Sequence, residues 1–150
     1  MGIRSHTYVI EKCKVVDKEQ KVKELKRTIC KMYKQFDGYP EGYGKDLAEF
    51  LVSKKLVNGI SGDPQTCFNG AGCLAAWIVA HFKTEAGGYY MTTPDRSGGV
   101  DYSYDIIVNM GNYHDGNFSI TLIVRRYKER KPLFEGTPED FLNVYLPSRI

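Results

Sequence analysis

The sequence predicts an α+β domain: an antiparallel sheet of about five strands, with two central helices packed on one face and a C-terminal helix. Three observations carry this prediction. Several segments alternate polar and apolar residues and are separated by turn residues. Two helical patterns each follow a glycine-rich loop. The chain has 150 residues, which suits one hydrophobic core, so we expect a single domain over residues 1–150.

The strand predictions rest on apolar content and on alternation with period two. Thr7–Val16 and Thr28–Phe36 are expected to form an antiparallel pair, joined by the charged connector Asp17–Lys26. A short strand is expected at Tyr89–Thr93. Tyr102, Tyr104, Ile106, Val108 and Met110 share one face of a strand, and Phe118, Ile120, Leu122 and Val124 share a face of the next, which predicts a hairpin.

Each predicted helix has its own signal. Leu47, Phe50 and Leu51 form one apolar stripe in Lys45–Ser53, typical of a helix with one wet side. Residues 73–83 are apolar almost all round, which indicates a central helix packed on several sides. Thr137 and Pro138 are a capping residue and a first-turn proline, so a C-terminal helix is expected through Tyr145.

Two glycine-rich loops, Gln35–Gly44 and Phe68–Gly72, precede the first two helices. A helix start offers unpaired N–H groups and partial positive charge, which suit a phosphate. The alternative reading is structural: a tight strand-to-helix connection in the first loop, and close packing with Asn69 as a helix cap in the second. The candidate ligand-binding residues are Arg4, Tyr39, Lys45, Asn69 and Gly70.

Composition excludes some classes of function. A net charge of +3 does not demand a nucleic-acid partner, although lysines concentrate between Lys12 and Lys34. The four cysteines form no Cys-x-x-Cys pair and no histidines stand at zinc-ligand spacing, so no metal site and no cofactor are expected. We expect reduced thiols in a cytoplasmic protein, with no leader and no membrane partner, because no long apolar stretch is present.

Two catalytic hypotheses compete with structural explanations of the same residues. Cys73 falls in the first turn of its helix, where a thiol becomes more reactive, but His81 lies about two turns away and is more typical of a packed or partly exposed histidine. Asp101 and Asp105 share a strand face and could bind Mg²⁺ as in nucleases, although acids on an alternating strand are usually its wet face. Arg4, Ser5 and His6 form either a disordered terminus or a polar group that folds over the glycine loops.

Three segments together resemble a family of small phage and bacterial proteins without an assigned activity. They are Met1-Gly2-Ile3-Arg4-Ser5, the run Tyr33–Gly44 with its Gln-Phe-Asp-Gly-Tyr-Pro core, and Asn69-Gly70-Ala71-Gly72-Cys73. The resemblance covers most of residues 1–110. It implies a phage or bacterial cytoplasmic setting, where small proteins often act in counter-defence by binding a nucleotide signal or a host protein.

These observations favour a non-enzymatic binding protein for a phosphate-bearing ligand such as a nucleotide signal, because no catalytic constellation is evident. The first alternative is a protein-interaction inhibitor of a host enzyme, with Tyr-rich strand surfaces as anchors. The second is a metal-dependent nuclease or hydrolase that uses Asp101 and Asp105. A homo-oligomer is compatible with all three.

Overall fold

The computed structural model describes residues 2–59, 63–112 and 116–145. It is an α+β fold in which a six-stranded sheet carries three helices on one face. No helix in these ranges is both long and apolar enough to span a membrane. The strands are β1 (Ser5–Val16), β2 (Val22–Lys34), β3 (Lys55–Val57), β4 (Cys67–Asn69), β5 (Tyr89–Thr92), β6 (Tyr102–Gly111), β7 (Ser119–Arg126) and β8 (Phe134–Gly136), and the helices are α1 (Lys45–Val52), α2 (Gly70–Phe82) and α3 (Pro138–Tyr145).

The main sheet has the strand order β5-β2-β1-β6-β7-β8. Both predicted hairpins, β1–β2 and β6–β7, are present. The prediction of about five antiparallel strands is corrected in two respects: the sheet has six strands, and β1 pairs with β6 in parallel. Local patterns identify hairpins, but a parallel pair between strands some 90 residues apart leaves no local signal. β3 and β4 form a separate two-stranded parallel sheet.

The connector Asp17–Lys26 is shorter than predicted, because β2 already begins at Val22. The turn itself is closed by the Asp17 carboxylate, which accepts hydrogen bonds from the N–H groups of Glu19 and Lys21. The first residues of β2 are exposed on both faces, so their sequence lacks the polar–apolar alternation that predicts a strand. The turn of the predicted β6–β7 hairpin, expected at residues 112–117, lies partly outside the described residues.

The core lies between the sheet and the helices. Leu47 and Leu51 of α1 and Leu74 and Ile78 of α2 are buried against one face of the sheet, together with Phe141 of α3. The opposite face carries a second, smaller apolar cluster made of Tyr8, Ile10, Ile107 and Ile123. The helices therefore pack on one face, as predicted, and the other face is left to be covered by a loop.

Three of the eleven tyrosines are buried in the main core, with hydrogen-bonded hydroxyl groups. The Tyr43 hydroxyl lies 2.7 Å from Thr7 Oγ1 and 3.0 Å from the Tyr89 hydroxyl. Tyr104 donates to the carbonyl of Gly38 at 2.7 Å. Burial raises the pKa of Tyr43 to about 12, so its hydroxyl stays protonated across the physiological range. Part of the high tyrosine content of the chain therefore lies in the core.

The glycines of the first loop are required by packing. A π-helical turn, Pro40–Gly44, runs directly into α1. A Cβ on Gly44 would lie 2.9 Å from Phe141 Cζ and 3.1 Å from Tyr104 Cε1, and a Cβ on Gly38 would lie 2.6 Å from Ser5 Oγ. In the second loop the opposite holds, because a Cβ on Gly72 meets nothing within 4 Å. Close packing therefore accounts for Gly38 and Gly44 of the first loop and does not account for Gly72 of the second.

Gly44→Ala should destabilise the fold by about 1–3 kcal/mol, because its methyl group enters a space filled by two buried rings. The matched control, Gly72→Ala, should stabilise α2 by about 0.5–1 kcal/mol, because alanine has less backbone freedom to lose in a helix. Urea unfolding of the two variants beside the parent protein measures both changes. Equal effects of the two substitutions would contradict the packing explanation.

Candidate functional site

At the start of α1, backbone N–H groups that were expected to bind an anion already donate to carbonyl groups of the same turn. The N–H groups of Gly42 and Gly44 donate to the Tyr39 carbonyl, and the Lys45 N–H donates to carbonyls in the same turn. Because the π-helical turn precedes α1 without a break, these N–H groups are occupied before the helix begins. The Lys45 ammonium group lies 3.8 Å from Glu49 on its own helix, and Tyr39 packs its ring over Gly42.

The second loop also differs from the prediction. Asn69 makes no side-chain cap to α2. Its amide oxygen instead accepts a hydrogen bond from the Gly59 N–H at 2.7 Å. Gly70 has φ +78°, a left-handed conformation that a side chain would strain, so its glycine shapes the turn into the helix. Neither residue is brought near Arg4 by any contact of the described residues.

Arg4 belongs to a different part of the molecule. Its guanidinium donates to the Gly99 carbonyl at 3.1 Å, and its backbone N–H donates to the Asp101 carboxylate at 2.9 Å. Gly99 lies in the segment 93–101. This covering loop crosses the face of the sheet opposite the helices.

Beneath the covering loop, strand register places five side chains in one row across the sheet. Tyr90 of β5 pairs with Tyr33 of β2, Tyr33 with His6 of β1, His6 with Ser103 of β6, and Ser103 with Arg125 of β7. The rings of Tyr33 and Tyr90 are 6.0 Å apart between centroids, and those of His6 and Tyr33 are 5.8 Å apart. One end of the row is therefore aromatic and the other end cationic.

The next row is organised by a buried carboxylate. Asp105 is 3% exposed, and its two oxygens accept hydrogen bonds from Arg96 at 2.9 and 3.1 Å and from Arg125 at 2.8 Å. Arg96 comes from the covering loop, and its guanidinium lies 3.9 Å from the centroid of the Tyr8 ring. These bonds to Asp105 raise the pKa of Arg96. The network holds two guanidinium groups in fixed positions.

A buried lysine fastens the other part of the covering loop. The Lys31 ammonium group of β2 donates to the carbonyls of Asp95 at 2.7 Å and Ser97 at 2.9 Å. The Asp95 carboxylate lies 3.6 Å from Lys31 and also accepts from the Ser97 hydroxyl and N–H. The hydrogen bonds from Ser97 lower the pKa of Asp95.

His6 lies directly under the covering loop. An ideal Cβ on Gly98 would be 3.0 Å from His6 Cε1, and Gly98 has φ +93°, so only glycine suits this crossing. Burial, together with the positive charges of Lys31 and Arg4, lowers the pKa of His6 to about 4, while Asp95 opposes the shift. His6 is therefore a neutral imidazole at pH 7.

Two cavities open on either side of His6 and Gly98. One has a volume of about 220 Å³ and contains the cationic groups Arg96, Arg125, Arg126 and Lys128. The other has a volume of about 360 Å³ and is lined by Arg4, Tyr33 and Tyr90 among others. Of the five candidate ligand-binding residues, Arg4 alone lines either of these two cavities.

The two catalytic hypotheses gain no geometric support. Asp105 directs both oxygens at arginines, and Asp101 lies 4.0 Å from the Arg4 Nε. Within the described ranges, no group of three or more His, Cys, Asp or Glu side chains is placed to hold a metal ion. His81 is exposed and stacks on Phe50 at 4.3 Å between centroids, which agrees with the expectation of a packed or partly exposed histidine. All four cysteines are free thiols.

The polar group at the start of the chain is ordered rather than a loose terminus. Ser5 and His6 are buried in β1. Ser5 lies against Gly38 of the first glycine loop, whereas Arg4 and His6 belong to the opposite face. The aromatic and basic residues of this site are visible in the sequence, on several separate strands. Only the pairing register of those strands shows that these residues lie next to one another.

Comparisons with protein-family models, with curated proteins and with solved structures found no match for this chain. The resemblance to small phage proteins therefore stays a prediction from three motifs. The functional argument rests on the geometry of the site alone.

His6 should make the fold less stable as the pH falls. Its pKa in the folded chain, about 4, is below the ordinary 6.5, so the unfolded chain takes up the proton first. The contribution of neutral His6 to the free energy of unfolding is fully present above about pH 6.5. It decreases by about 2–3 kcal/mol as the pH falls towards 4.

The measurement is the free energy of unfolding in urea between about pH 4 and pH 7. His6→Asn should lose about 2–3 kcal/mol less than the parent protein over this range, because the difference between them isolates His6 from the carboxylates. A His6→Asn curve parallel to the parent curve would rule out a depressed pKa for His6.

Proposed function

We propose that the protein is a non-enzymatic binding protein for a small phosphate-bearing ligand with an aromatic base, such as a nucleotide signal. The observation that carries the proposal is the row from Tyr90 to Arg125, in which aromatic rings lie at one end and the guanidinium of Arg125, held by Asp105, lies at the other. The site is the face under the covering loop, so it differs from the glycine loops predicted from the sequence. A role in counter-defence, in a phage or bacterial cytoplasm, stays part of this proposal.

The cationic cavity suits a phosphate group. Arg96 and Arg125 are already oriented by Asp105, so little side-chain freedom is lost when they bind an anion. Arg126 and Lys128 add exposed positive charge at the rim. Among the lining residues of this cavity, Glu129 is the one carboxylate against four cationic groups.

The aromatic cavity suits a nucleobase. Tyr33 and Tyr90 present rings side by side, and His6 continues the row as a neutral imidazole. Flat side chains of this kind stack on bases at about 1–3 kcal/mol per base. Backbone carbonyls of the covering loop are already occupied by Lys31 and Arg4, which keeps the loop in place between the two cavities.

A specific observation also favours the second function, inhibition of a host enzyme by direct contact. Tyr90 is 47% exposed and Met91 is 54% exposed, next to each other on the edge strand β5. Exposed aromatic and methionine side chains are typical anchors of protein interfaces. The third function, a metal-dependent nuclease or hydrolase, is the least favoured, because Asp105 is engaged by two arginines.

Calorimetric titration with mono-, di- and cyclic nucleotides and with inorganic phosphate tests the first function. At least one nucleotide should bind. Arg126→Gln should weaken that nucleotide about tenfold or more, because a charge-assisted hydrogen bond is lost from the cationic cavity. The matched control is Arg130→Gln, which removes an exposed arginine four residues away that is not part of the cavity lining.

Tyr90→Ala separates the two halves of the site. Loss of stacking should weaken the nucleotide about tenfold or more and leave inorganic phosphate unaffected. Silence across the whole panel would remove the first function. A stoichiometric host protein captured from lysate without any nucleotide, and lost in Tyr90→Ala, would then support the second.

A further inference from the structure

The β1–β2 hairpin extends beyond the rest of the sheet as a two-stranded ribbon. β6 pairs with β1 only as far as Cys13, and β5 pairs with β2 only over Lys31–Lys34. Among the described strands, Lys14–Val16 and Val22–Glu24 therefore pair only with each other, and Val15 also packs against the main core. We call the segment Lys12–Thr28 the ribbon.

The ribbon concentrates the positive charge of the protein. It contains seven lysines and arginines and three acidic residues, an excess larger than the net charge of +3 of the whole chain. Its carboxylates are already paired, since Asp17, Glu19 and Glu24 lie near Lys23, Lys21 and Lys12. In the part of the chain that the structure describes, no ion pair includes Lys14, Lys18 or Lys26.

The arrangement of charges in the ribbon destabilises the hairpin. Lys12 and Lys26 are directly opposite each other, and like charges at such positions repel. Val16 and Val22, also opposite each other, are 62% and 67% exposed at the tip. Lys12 and Lys14 line a cavity of about 270 Å³ where the ribbon leaves the sheet. An anionic partner would relieve the repulsion.

We propose that the ribbon binds duplex DNA. The major groove admits a two-stranded β-ribbon, and both of its walls carry phosphates. Cations lie on both faces of the ribbon, with Lys12, Lys14 and Lys26 on one face and Lys23 and Arg27 on the other, where the Arg27 guanidinium is bonded to Glu11 at 2.8 Å. An acidic protein would be expected to engage one face or the free edge of β2, and it would leave the cations of the opposite face unused.

Fluorescence anisotropy with a labelled duplex of about 20 base pairs tests the proposal, at about 50 mM and about 200 mM NaCl. The triple variant Lys14→Gln, Lys18→Gln, Lys26→Gln should weaken binding about tenfold or more at the lower salt. It should also reduce the slope of log affinity against log salt by about 2–3, since each phosphate contact contributes about 0.9.

The matched control is Lys55→Gln, Arg130→Gln, Lys131→Gln, which removes the same charge at exposed positions away from the ribbon. It should weaken binding by less than about twofold. The charge-preserving variant Lys14→Arg, Lys18→Arg, Lys26→Arg should keep the parent affinity, and circular dichroism should show all variants folded. If the triple glutamine variant does not fold, Lys18→Gln alone, in the turn, should still lower the slope by about one.

Three results would overturn the proposal. They are no binding at the lower salt, equal loss in the ribbon variant and its control, and displacement of the duplex by polyglutamate at equal charge concentration. The last result would indicate an acidic protein as the partner instead.

Discussion

The parallel pairing of β1 with β6 is the constraint on which the remaining structure depends. Lys34 at the end of β2 and Tyr102 at the start of β6 both pair with Ser5, so the chain leaves and re-enters the sheet at the same end. Parallel strands cannot be joined by a tight turn, and residues 35–101 form the long connection. They place α1 and α2 on one face, add β5 to the edge of the sheet beside β2, and lay the covering loop across the other face. The first residues of β1 are thereby buried between two layers.

The two layers meet different physical requirements. The helix side is an apolar core in which even the glycines of the first loop serve close packing. The loop side buries Asp105, Lys31 and His6, which are costly to remove from water unless they are paired or neutral. Arg96 and Arg125 satisfy the carboxylate, loop carbonyls satisfy the ammonium group, and His6 is uncharged at pH 7. The same contacts that hold the covering loop therefore orient the cationic groups of the candidate site.

Local periodicity was sufficient for the elements whose signals lie within a few residues. The β6–β7 hairpin, the stripe of α1 and the Thr137 cap, which accepts from the Asp140 N–H at 3.1 Å, were all predicted from the sequence. The parallel β1–β6 pair, the short strand β8 and the extent of β2 were not, because they follow from partners distant in sequence or from exposed residues without alternation. The glycine-rich loops suggested conformational freedom and a ligand, whereas Gly38 and Gly44 are glycines because neighbouring side chains leave no room.

For the candidate site, the sequence showed which aromatic and basic residues are available, but not where the fold brings them together. Arg4 was the one candidate that lies at the face under the covering loop, and its neighbours there come from five strands that only register brings together. That register also puts His6, Tyr8, Lys12 and Lys14 on a single face of β1. Near the start of the strand the cations are fixed by Asp105, which suits selective binding of one small anion; near its end they are exposed lysines, which suit a salt-dependent polyanion. One face of β1 thus adjoins two kinds of electrostatic surface, which differ in how firmly their charges are held.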